Sequence, residues 1–145
     1  MLAEQIRNSL EKLELEKVAA GDYGRTGYHV EVAAKPEQIT AIAQVMLEHQ
    51  CFLESLTALD LIESFEVVYH FACFRELCRT VVHVPLIKGK TAPTISSVYP
   101  AADWFEREVF DLFGIVFAGH PNLKRLILPE DADFHPLLKD FVASS

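Results

Sequence analysis

A chain of 145 residues, half of them hydrophobic, is the size of one ordinary domain and can bury a core without disulfides or a structural metal. Its 21 acidic and 13 basic side chains give a formal charge of −8, the wrong sign for a protein that neutralises nucleic-acid phosphates or lies on anionic lipid. Charges interrupt every apolar run well short of the ~20 residues of a membrane span, so membrane contact is expected only through another protein.

Leu2, Ile6, Leu10, Leu13 and Val18 recur at helical spacing and predict one amphipathic helix over residues 2–19, its apolar side read as a core face. The glycines of GDYGRTG end it. In YHVEVA, Tyr28, Val30 and Val32 alternate with His29 and Glu31, the pattern of a half-buried strand. Pro36 suits the first turn of a second helix, with Ile39, Ile42, Ala43 and Met46 as its apolar face. Three strand-like runs follow, at 51–61, 64–74 and 79–87. Phe65, Val67, Tyr69 and Phe71 share one face of the second, and ACFRELCR is short enough to join antiparallel neighbours. TAPTISSVYPA then leads into a helix over ADWFEREVFDLF, which Gly114 ends.

The order α-β-α-β-β-β-α predicts an α+β fold, a mainly antiparallel sheet of about four strands with helices packed on one face. Residues 1–114 are read as that domain, and 115–145 as an extended, partner-binding tail of the same domain. Its prolines and mixed polarity make it costly to order without a partner.

Cys51, Cys73 and Cys78 are odd in number and lack a CxxC, which predicts free thiols in a reducing, cytoplasmic setting. They are also too few for an iron–sulfur cluster, which usually takes four. His29, His70 and His83 fall on strands, where a cross-strand pair could hold a metal. No third ligand stands at a recognisable spacing, and two partly solvated strand histidines are the plainer reading. No cofactor or metal is expected in this chain. Glu108 and Asp111, at i,i+3, could form a general acid–base pair, but Arg107 can equally pair with Asp111 at i,i+4, and no nucleophile motif or phosphate loop accompanies them.

The helix at 102–113 carries three apolar or mixed stripes: Phe105, Val109 and Leu112; Phe110 and Phe113; and Trp104 with Glu108 and Asp111. One domain surface cannot bury all three, so one stripe is expected on the sheet and another in a protein partner. GHP at 119–121 and HPLLKDF at 135–141 look like paired anchors, each histidine held extended by the proline after it.

DWFEREVFDLFGIVFAGHPNLKRLILPED, followed by HPLLKDF, closely resembles the signature of the 30-kilodalton subunit of respiratory complex I, the C-subunit of NADH-quinone oxidoreductase. That family includes small subunits of membrane-bound, energy-converting hydrogenases. FLESLTALDL and FEVVYHF extend the likeness to about residues 28–141. The resemblance implies an accessory subunit of the peripheral arm with no redox centre or active site of its own. It implies docking on the large hydrogenase-like subunit and neighbouring iron–sulfur subunits, on the cytoplasmic side of the plasma membrane, in support of electron transfer to quinone coupled to proton translocation. Iron–sulfur clusters would belong to those partners. The alternatives are the equivalent subunit of an energy-converting hydrogenase, or a free-standing enzyme using Glu108 and Asp111.

Carried onto this chain, the motif covers Glu106, Arg107, Glu108, Asp111, Gly114, Gly119, His120, Pro121, Arg125, His135, Pro136, Lys139 and Asp140. With Trp104 and Lys124 these form the implied partner-binding set. Lys124 stands where arginine is usual, Leu138 replaces an arginine and Phe141 a tyrosine. Lysine lacks the planar fork of arginine and leucine makes no ion pair, so the partner surface opposite is expected to differ.

Overall fold

The computed structural model describes residues 2–124 and 135–138. Helix α1, Leu2–Glu11, buries Ile6 and Leu10. It stops well short of residue 19, because the chain reverses at Glu14, where φ is 55°, and Lys17–Ala20 forms strand β1. Val18 thus continues a helical period by coincidence. The strand prevails because it pairs antiparallel with β2, Val30–Ala33, and gives the backbone of both its partners. Between them lies a single helical turn, α2, Tyr23–Thr26. Gly21 is required beside it, since a Cβ there would come within 2.5 Å of the Tyr28 carbonyl oxygen.

A 3-10 turn at Pro36–Gln38 opens α3, Ile39–Glu48, which buries the expected Ile39, Ile42, Ala43 and Met46. Strands β3 (Cys51–Asp60), β4 (Ser64–Cys73) and β5 (Arg79–Ile87) form an antiparallel meander. Strand β2 then lies parallel to β5, giving a five-stranded sheet in the order β1-β2-β5-β4-β3. The fold is α+β as expected, but the sheet has five strands and one parallel pair. The parallel pair follows from the crossover through α3, which brings the chain back in the same direction.

One buried cluster joins Ile6 and Leu10, Ile42 and Met46, and Val109 and Phe113 of α4 (Ala102–Phe113) to the inner sheet positions Val32, Val67, Tyr69, Phe71 and Val84. All three long helices therefore cover one face. Each such side chain stabilises the fold by about 1.5–3 kcal/mol relative to exposure. Two short strands, β6 (Ala92–Pro93) and β7 (Phe117–Ala118), pair in parallel on either side of α4 in sequence, and Ile115 and Phe117 enter the core.

The other face of the sheet is polar. His83 turns its Nδ1 to Glu66 at 2.7 Å and its Nε2 toward Glu31 at 3.9 Å, while His70 packs against Tyr28. His29 accepts the Arg79 backbone N–H at 3.0 Å. Among the described residues no group of three His, Cys, Asp or Glu side chains could hold a metal. Nor is any described helix long and apolar enough to cross a membrane.

The expectation of three free thiols is corrected. Cys51 and Cys73 face each other across β3 and β4 and are joined as a disulfide, while Cys78 is free and buried. Only the strand register makes the first two neighbours.

Candidate functional site

Ala102, Glu106, Val109 and Phe113 recur every three or four residues along α4 and form its buried face; Asp111 is buried as well. Two of the helix's carboxylates are therefore inside the protein. Glu106 is 0% exposed and meets the loop just after β6: one oxygen accepts the Ile95 N–H at 2.9 Å, the other the Thr94 hydroxyl. Burial raises its pKa above the ordinary carboxylate range, the bonds from Thr94 and Ile95 and the nearby His120 oppose that rise, and Asp103 adds to it.

The segment after β7 folds back over the first turn of α4. His120 has a buried ring whose Nδ1 accepts the Asn122 N–H at 2.9 Å, which leaves the proton on Nε2. That nitrogen lies 3.1 Å from both the carbonyl and the carboxylate of Asp103, and 4.0 Å from Glu106. Gly119 takes φ of 86°, with the Thr94 methyl 3.2 Å from where a Cβ would stand.

At the other end, Gly114 adopts the left-handed conformation, φ 80°, and returns its N–H to the Phe110 carbonyl at 2.8 Å. The next orphan carbonyls are met from far along the chain. His135 donates through Nδ1 to the Asp111 carbonyl at 3.0 Å, and Leu137 donates its N–H to the Leu112 carbonyl at 3.0 Å. Pro136 between them has no N–H to give. The His135 ring meets Phe110 edge-on and occupies the space beside Gly114, where a Cβ would lie 2.9 Å from it. The two histidine–proline turns thus brace opposite ends of one helix.

Several expectations about single residues change. Asp111 is fully buried, whereas Arg107 and Glu108 are only half-buried. Among the described residues Arg107 forms no ion pair, so the Arg107–Asp111 bridge is absent, and its Nε is buried without an acceptor. Glu108 and Asp111 do not make an open acid–base pair, because Asp111 is closed to solvent. Trp104 stands 58% exposed. Pro121 and Lys124 are exposed, and the partly buried Leu138 packs against the core. Arg125, Lys139, Asp140 and Phe141 lie outside the described residues. Thr94, Asp103 and Asn122 complete the site without having been expected; a threonine in a proline-rich loop carries no signal until the loop is seen against Glu106.

The domain is of the α+β class, with one helix positioned by its buried carboxylate, capped at both ends from distant turns and presenting its remaining face outward. Within that class, the chain belongs to the respiratory-chain NADH dehydrogenase 30 Kd subunit family, whose model matches residues 32–145. It is 42% identical over 117 residues to the NADH-quinone oxidoreductase C-subunit of Rhodobacter capsulatus, covering 76% of this chain and 59% of that one. A protein of the same name from a Roseiflexus species is 38% identical over 117 residues, covering 75% and 67%. The chain thus spans about three fifths to two thirds of the length of these relatives. Its fold is similar to a chain in the structure of the membrane-bound sulfane sulfur reductase, an archaeal respiratory membrane complex, with a TM-score of 0.80 at 24% identity, covering 96% of this chain and 84% of that one.

Proposed function

We propose that this chain is a non-catalytic accessory subunit in the peripheral arm of a complex I-like NADH:quinone oxidoreductase, docked through the outer face of α4 on the large hydrogenase-like subunit. On this reading it supports electron transfer to quinone coupled to proton translocation. Iron–sulfur clusters sit in the partner subunits, this chain carries none, and it meets the cytoplasmic side of the membrane only through the complex. The names of the relatives support the setting.

The observation that carries the docking face is Trp104, 58% exposed, three residues before the half-buried Arg107, which forms no ion pair among the described residues. Tryptophan and arginine are also the side chains that most often anchor interfaces.

Arg107→Ala tests it. The variant leaves the melting temperature of the isolated chain within a few degrees, since no ion pair is lost, while its recovery in the assembled complex falls sharply because a partner carboxylate would be stranded at a cost of about 3–5 kcal/mol. Normal assembly of the variant would move the interface off α4.

A further inference from the structure

All three cysteines lie at one end of the sheet. Cys51 opens β3, the edge strand, and is bonded to Cys73, which closes β4 directly opposite. The Cys73 N–H donates to the Cys78 carbonyl at 3.2 Å across the turn into β5, so the third cysteine flanks the bonded pair.

The fold does not require this bond. Small domains use disulfides where the core is too small to hold them, whereas this chain buries one continuous core from α1 to α4. Other contacts hold the two strands with or without it. The β3–β4 ladder runs on to Asp60 and Phe65, Arg75 donates to the Gln50 side chain at 3.0 Å, and the Tyr99 hydroxyl donates to the Cys51 carbonyl at 2.8 Å. Once opened, the two sulfurs therefore stay within reach of each other, and closing needs no search.

The two sulfurs are also unequal. Cys51 is 4% exposed, while Cys73 is half-buried and runs straight into the exposed turn at 74–77. A thiolate from outside thus reaches Cys73 first. Cys78 cannot take that role, because burial, with Glu76 adding to it, pushes its thiol up and keeps it protonated.

We propose that Cys51 and Cys73 form a reversible dithiol–disulfide pair, opened at Cys73 by an external thiol reductant and closed when the surroundings turn oxidising. The inference rests on the reading above for its cytoplasmic setting, where such a bond senses redox state rather than serving as a permanent staple. The reductant's thiolate attacks the Cys73 sulfur, forms a mixed disulfide and expels Cys51 as a thiolate, which takes up a proton. A second thiol then attacks the reductant's sulfur and releases Cys73. Two electrons and two protons pass to the pair, and the two reductant thiols leave joined as a disulfide. Tyr99, tied to Cys51, also accepts the N–H of Ala102, the first residue of α4, at 2.9 Å, so the closed bond braces the approach to that helix.

The test equilibrates the oxidised full chain with mixtures of reduced and oxidised glutathione, then quenches it in acid, denatures it, alkylates it and weighs it. Alkylated thiols should rise from one to three as the mixture becomes more reducing and return to one when it is reversed, with circular dichroism unchanged. The glutathione adduct trapped on the way should map to Cys73. The reduced form should melt about 5–10 °C lower, because one loop of the unfolded chain is released. One thiol at every ratio would make the bond a permanent staple, and three at every ratio would mean that it does not form. Either result overturns the proposal, as does an adduct on Cys51 alone, and each leaves the docking reading standing. Arg107→Ala tests that reading separately, and normal assembly of that variant would leave the thiol count as it is. Cys78→Ala should repeat the transition, and its loss there would move the exchange to Cys78 and overturn the pairing proposed.

Discussion

Glu106 places a carboxylate where two donors reach it and water does not. In the unfolded chain it titrates near ~4.3, and burial puts the folded value higher. Between those two values the folded chain holds a proton that the unfolded chain has released, so stability falls as pH rises through the interval, and the full penalty is in place above the folded value. Glu106→Gln keeps the shape, accepting from Ile95 and donating to Thr94, but carries no charge. Its melting temperature should therefore gain on the wild type as pH rises above about 4, and a difference that stays constant with pH would mean the group does not titrate differently on folding. In the sequence Glu106 stood out only through the family motif. Its role was not visible, because Thr94 and Ile95 approach it only through a loop with no regular period. Arg107 shows the opposite error: i,i+4 spacing promised a bridge to Asp111, yet burial took Asp111 alone.

The helix α4 is an element whose ends are finished by residues far away in sequence. Its start, stop and Gly114 terminus could be read directly, since helical periodicity and a C-terminal glycine are local signals. The caps could not, because His135 and Leu137 reach the Asp111 and Leu112 carbonyls from more than twenty residues downstream. Gly114→Ala should cost about 1–3 kcal/mol in urea denaturation, from the left-handed backbone and the His135 ring that a Cβ would strike. His135→Ala should cost about 1 kcal/mol for its lost bond. The pair should cost less than the sum, because removing the ring makes room for the methyl. Strict additivity would show that ring and glycine do not meet in solution. The same limit explains α1 and β1: an amphipathic period ran on through Val18, and only pairing with β2 reveals a strand.

At the scale of the whole molecule, the family model begins at residue 32, within β2, so α1 and β1 precede the matched region while still contributing Ile6 and Leu10 to the common core. The fold class was legible because three long strands and three helices announce themselves by period. The fifth strand and the parallel pair were not, since they depend on which edges meet. The cysteines belong here too, because long-range register alone unites Cys51 with Cys73. Thiol titration of the denatured, unreduced chain should find one reactive thiol, and all three after reduction; three before reduction would refute the bond.

The parallel pair also sets an order of events during synthesis. Strands β3, β4 and β5 are sequence neighbours and can pair as each follows the last, whereas Val30 must wait for Thr80. Closing the longer loop costs more entropy before any contact repays it, and such pairings form late. The nascent α1–β2 segment is made before β3, β4 and β5 but has no such sheet to join until β5 has been made, and in that interval its apolar face is a natural client for chaperones.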